Sequence, residues 1–96
     1  MAEYRLSQKA DDDLVETFIY SFHKFGEAKA RAYLFSIHET LSLLADQPGV
    51  GRRIDRIRKG YLRHEHISHS IFYTITASGI FVVRILHQKM KSEFHL

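Results

Sequence analysis

The sequence predicts a two-layer α+β fold: an N-terminal strand, a helical hairpin, then a three-stranded meander, all forming one antiparallel sheet. Three observations predict it. Apolar residues between positions 14 and 44 recur at steps of three and four, the period of a helix packed on one side. Residues 69–86 are rich in β-branched and aromatic side chains and are interrupted by a single Ala-Ser-Gly turn. A chain of 96 residues with 45% apolar side chains suits one domain, residues 1–96, with one small core.

Each element has its own signal. Glu3–Leu6 alternates polar and apolar residues, as a short strand does, and runs into Ser7, an N-cap residue. Asp11, Asp12 and Asp13 then lie near the positive end of a helix dipole. Leu14, Phe18, Phe22 and Phe25, with Val15 and Ile19 alongside, form one apolar stripe, and Gly26 ends the helix. Ala30, Leu34, Ile37, Leu41 and Leu44 mark a second helix that must stop before Pro48. The aromatic residues Tyr20, Phe22, Tyr33 and Phe35 are expected in the seams of this antiparallel hairpin. Residues 46–60 hold the only proline and three glycines and read as a connecting loop. Strands follow at Tyr61–His66, His69–Thr76 and Ile80–Leu86, and the polar tail adds one helical turn.

The last strand, IFVVRIL, is apolar on both faces apart from Arg84, which places it mid-sheet beside the first strand, antiparallel to it. Two helices cover only one face. The other would present Ile80, Val82 and Leu86 around Arg84, each apolar side chain being worth roughly 1.5–3 kcal/mol when buried. Such a patch marks an interaction site. A partner chain is expected there, or the C-terminal tail folded back over it.

Composition excludes several function classes. Without cysteine there is no disulfide framework, thiolate metal site or thiol nucleophile. The N-terminus lacks an apolar h-region, and no uncharged run is long enough to span a membrane, so a cytoplasmic location is expected. His64, His66 and His69 lie close in sequence but read as solvated surface residues, and neither metal nor cofactor is expected. The net charge of +3 is uneven. Residues 1–48 hold eight acids and five bases, whereas residues 49–96 hold nine bases and three acids. Arg52, Arg53, Arg56, Arg58, Lys59 and Arg63 fall within twelve residues, a positive field suited to acidic protein surfaces or phosphates.

The ordered set Tyr4-Arg5-Leu6-Ser7, Asp11-Asp12-Asp13-Leu14, Leu44 to Gly51, Ile57-Arg58-Lys59-Gly60-Tyr61, Ser68 to Tyr73, Val83 to Met90 and His95-Leu96 resembles the ParE branch of the ParE/RelE toxin superfamily. The resemblance spans essentially the whole chain; Lys91 departs from it, where relatives commonly carry an acid. It implies the toxin of a type II toxin–antitoxin module, neutralised by a ParD-like antitoxin in a hetero-oligomer. It also implies inhibition of DNA gyrase with its bound DNA, by protein binding rather than catalysis, with no catalytic residue. Ile80, Val82, Arg84 and Leu86, with grooves beside the hairpin, are the expected antitoxin contacts. Arg58, Arg63, His87, Lys89 and Met90 are the expected target contacts. The alternative is a RelE-type ribosome-dependent mRNA endoribonuclease, with Arg84 as phosphate clamp and His87 as base, assisted by Arg63 or Lys89. Against it, Arg84 would pair with an acidic partner residue and His87 would be a hydrogen-bonded structural residue after the strand, and no tyrosine follows Tyr73.

Overall fold

In the computed structural model, which describes residues 2–96, strand β1 (Glu3–Leu6) leads into helix α1 (Gln8–Phe25) and helix α2 (Glu27–Asp46). A 3₁₀ turn at Pro48–Val50 and a two-residue strand β2 (Arg52–Arg53) follow. Strands β3 (Leu62–His66), β4 (His69–Ile75) and β5 (Gly79–His87) come next, and a 3₁₀ turn at Ser92–Phe94 supplies the expected turn in the tail.

The predicted helix signals act as expected. The Ser7 hydroxyl accepts from the Ala10 amide at 2.9 Å and donates to the Val83 carbonyl at 2.6 Å, so one cap starts the helix and ties it to β5. Gly26 sits at φ 92°, a left-handed geometry that suits glycine, and both ends α1 and begins α2. Leu14, Ile37, Leu41 and Leu44 pack on Ile71, Tyr73, Ile80, Val82 and Ile85 to form the main core.

The sheet is mixed rather than wholly antiparallel, with strand order β1-β5-β4-β3-β2. β1 pairs with β5 in parallel, Tyr4 opposite Ile80 and Leu6 opposite Val82, which corrects the expected antiparallel pairing. The reason lies in the connector, which is not simply a loop. β2 runs antiparallel to β3, with Arg52 opposite Arg63, and this extra reversal inverts every strand after it. The fold class holds; the count and direction of strands needed β2.

A second correction concerns which face each β5 residue takes. Phe72 lies opposite Arg84 and Tyr73 opposite Val82, so Val83 has no opposite residue and forms a bulge. One extra residue flips the alternation. Ile80, Val82 and Ile85 therefore all turn under the helices, while Arg84 and Leu86 turn to the other face beside Phe72. That second face is not bare. Phe72 and Leu86 are buried there beneath Ile54 and Tyr61 of the connector and Leu96 of the tail. The tail does fold back as one of the two expectations had it, and the connector shares the task.

Apolar surface is exposed on the helices instead. Val15, Ile19, Tyr20, Phe22 and Phe25 of α1 and Phe35 and Leu43 of α2 are all exposed. Tyr20, Phe22 and Phe35 are thus not seam residues, and only Tyr33 is half-buried.

Candidate functional site

β1 ends at Leu6 opposite Val82, so the last residues of β5 have no neighbouring strand on that side. α1 closes this edge. Asp13 accepts from the Ile85 amide at 2.9 Å, and its two carboxylate oxygens each accept from the Arg84 guanidinium at 2.9 Å. A third Arg84 nitrogen donates to the His95 carbonyl at 3.1 Å. The Asp13 hydrogen bond, outweighing burial, holds the Arg84 guanidinium above its already high ordinary pKa. The acid expected to pair with Arg84 is thus within the chain.

Past this pair opens a groove of about 850 Å³. One wall is α1, through Thr17, Tyr20, Lys24 and Phe25; Lys29 and Tyr33 of α2 extend it. The β3–β4 turn (Ile67, Ser68, His69) and the segment His87–Met90 after β5 form the opposite wall. Lys24 is held over the rings of Tyr20 and Phe25, with its ammonium donating to the Tyr20 hydroxyl at 3.0 Å. Lys29 and Lys89 have no ion-pair partner among the described residues. The rim combines these cations with exposed Tyr20, Phe25, Ile67 and Met90.

Ile67 is the most unusual of them. It has φ 51°, the one non-glycine residue among those described with positive φ, and it is 69% exposed. A β-branched residue in the left-handed region is strained. Neither packing nor backbone explains an isoleucine there, and such strain is characteristic of functional surfaces.

Beneath the groove lies a polar network. His69 hydrogen-bonds Tyr33 at 2.7 Å and Thr17 at 3.3 Å, and the His87 ring stands edge-on to it with centroids 5.5 Å apart. His66 hydrogen-bonds Ser36 at 2.9 Å and Thr40 at 3.0 Å. Burial first, then neighbouring imidazoles, lowers the pKa of both His66 and His69, while Asp13 opposes the shift at His69. These two histidines are structural cross-links between sheet and helices, not solvated surface residues as expected. Among the described residues no group of three or more histidine and carboxylate side chains could hold a metal ion.

The structure divides the predicted site residues. Ile80 and Val82 lie in the core and Leu86 under the connector and tail, so none can meet a partner as expected. Of the expected antitoxin set only Arg84 borders the groove. His87, Lys89 and Met90, expected at the target surface, line the groove as well. Arg58 and Arg63 do not: Arg58 bonds the Leu96 carbonyl, and Arg63 pairs with Glu65 and lies over Phe72, 5.5 Å from its ring centroid. Asp13, Thr17, Lys29 and Ile67 were missed. The one available signal was an acid in the first turns of a helix that also follows a strand too short to cover β5.

A family model described as the ParE toxin of the type II toxin–antitoxin system parDE matches residues 4–92. The chain belongs to the ParE toxin family. It is 34% identical to Toxin ParE1 of Caulobacter vibrioides over 96 residues, covering 100% of this chain and 99% of that protein. It is 35% identical to Toxin ParE1 of Mycobacterium tuberculosis over 96 residues, 99% of this chain and 98% of that one. Its fold is similar to a chain of the chromosomal ParDE system from P. aeruginosa, with a TM-score of 0.75 and 22% identity over 91% of this chain and 96% of that chain. As a ParE toxin it carries the helical hairpin, the mixed sheet and the α1–β5 groove. No helix among the described residues is long and apolar enough to cross a membrane.

Proposed function

We propose that this ParE toxin is neutralised by a ParD-like antitoxin whose acidic, amphipathic segment occupies the α1–β5 groove, and that the freed toxin inhibits DNA gyrase on its bound DNA. The observation that carries the antitoxin part is the groove rim: exposed Tyr20, Phe25, strained Ile67 and Met90 interleaved with unpaired Lys29 and Lys89. Apolar anchors on a rim where Lys24, Lys29 and Lys89 outnumber the one exposed acid, Glu16, suit a helix or strand with apolar residues on one face and acids on the other. Because His87, Lys89 and Met90 line the same groove, an antitoxin seated in it masks the segment proposed to meet the target. Action by binding, without catalysis, in the cytoplasm completes this reading.

The ribonuclease reading finds less support. A phosphate clamp needs an uncommitted guanidinium, yet Arg84 is neutralised by both oxygens of Asp13 and Arg63 by Glu65. The His87 Nδ1 accepts the Lys89 amide at 3.1 Å, a turn-stabilising bond.

The test is a gyrase supercoiling assay with purified toxin, with and without its antitoxin. Lost supercoiling or trapped cleavage complexes, abolished by antitoxin, are expected. Untouched gyrase together with codon-positioned mRNA cleavage would overturn the reading.

A further inference from the structure

We propose that the open β2 edge of the sheet and the turn that follows it bind the phosphate backbone of duplex DNA through Arg52 on the strand and Arg56 and Lys59 on the turn. The structure sorts the six bases of residues 52–63 into two groups. Arg53 pairs with Asp55 at 2.9 Å, Arg58 bonds the Leu96 carbonyl, and Arg63 pairs with Glu65. Arg52, Arg56 and Lys59 are exposed, and their side chains have no hydrogen-bond or ion-pair partner among the described residues. Asp55, the only acid of the stretch, is already committed. It accepts from Arg53 and from the Gly60 amide at 2.8 Å, and these hydrogen bonds, with the charge of Lys59 adding to them, hold its carboxyl below the usual range.

The three cations are displayed on ordered backbone. β2 is the last strand of the sheet, so no strand among the described residues pairs with its outer side. The turn after it is closed by the Ile57 and Arg58 amides donating to the Ile54 carbonyl at 2.9 and 3.0 Å, and Ile54 itself is buried under the sheet. Chemistry then favours a polyanion over a protein. A protein interface has an apolar or aromatic core, but from 52 to 60 the only large exposed apolar side chain is Ile57, 39% exposed. Phosphate contacts need only cations and donors, and they require no apolar anchor. This surface shares no residue with the antitoxin groove, so both can be occupied at once.

The measurement is fluorescence anisotropy of the full chain titrated into a labelled duplex of about 20 base pairs between about 50 and 200 mM salt. Three phosphate contacts predict that log K falls with log salt at a slope near −2.7, about −0.9 for each. The triple variant R52A/R56A/K59A is expected to lose at least about tenfold in affinity at the low-salt end and to show a nearly flat salt dependence. Lys9→Ala, which removes an exposed cation on α1, is expected to bind as the native chain does. Unchanged antitoxin binding by the triple variant establishes that it folds and separates this surface from the groove. No salt-dependent binding by the native chain, or an unchanged slope in the triple variant, overturns the proposal. So does a poly-glutamate peptide that displaces the duplex at equal charge concentration, which would assign the edge to an acidic protein.

Discussion

Asp13 and Arg84 stand 71 residues apart in sequence and meet through two hydrogen bonds of 2.9 Å, with 11% and 14% of their side chains exposed. The same carboxylate accepts the Ile85 amide. One side chain thus neutralises a nearly buried guanidinium and satisfies a strand edge that β1 is too short to reach.

Replacing Asp13 with alanine strands the Ile85 amide and leaves the Arg84 guanidinium without its counter-charge, holding only the His95 carbonyl. Removing one partner of a buried pair costs roughly 3–5 kcal/mol, and the residual exposure here places the expected loss near about 3 kcal/mol. The double variant Asp13→Ala with Arg84→Met should lose less than the single one, because no charge is then stranded. Urea midpoints of the two variants check this ordering, and equal losses would contradict it.

The histidine network predicts a pH dependence of definite sign. Burial lowers the pKa of His66 and His69 in the folded chain, so the unfolded chain binds protons first as pH falls. Their contribution to stability is therefore complete above the ordinary imidazole value of about 6.5 and is lost as pH drops through the depressed folded values. His64 adds to the shift at His66, His87 and His66 to that at His69, and Asp13 resists it at His69. Thermal unfolding at pH 7.5 and pH 5 should show a lower midpoint in acid, a difference reduced in His66→Gln with His69→Gln.

Ile67 predicts a trade between stability and binding. Asparagine tolerates φ 51° far better than isoleucine, so Ile67→Asn should stabilise the toxin by up to about 1 kcal/mol. It should also weaken antitoxin binding, because it deletes an anchor from the groove rim. Calorimetric titration alongside urea unfolding reads both effects; an unchanged affinity would remove Ile67 from the interface.

Tyr73 is fully buried, and its hydroxyl donates to the Pro48 carbonyl at 2.7 Å while accepting the Gly51 amide at 2.9 Å. Tyr73→Phe should therefore cost roughly 1–3 kcal/mol by stranding both backbone groups and loosening the connector before β2. The urea midpoint reports it, and full stability in the variant would show that the connector holds without this anchor.

Sequence reading located the elements of this fold because their causes are local. Ser7, Gly26 and Pro48 act on backbone within a turn of themselves, and helical periodicity needs only neighbours along the chain. It misplaced Ile80 and Val82 because the alternation of β5 is broken by a bulge at Val83, whose cause lies in pairing with β4, while Leu86 keeps its expected face but is covered there by the connector and tail. It singled out His87, Lys89 and Met90 but not the groove that they line together with Thr17 and Lys29, since that groove exists only once α1 lies along the edge of β5.

The sequence by itself determined an α+β domain of one helical hairpin and a sheet, its family resemblance, and the concentration of positive charge after residue 51. Only the tertiary structure decided that β1 and β5 run parallel, that the connector and tail close the second face, and which cations remain unpaired. The physical reason is range. Capping, periodicity and turn chemistry act over a few residues, whereas strand direction, burial and charge pairing depend on groups that meet only when distant segments pack.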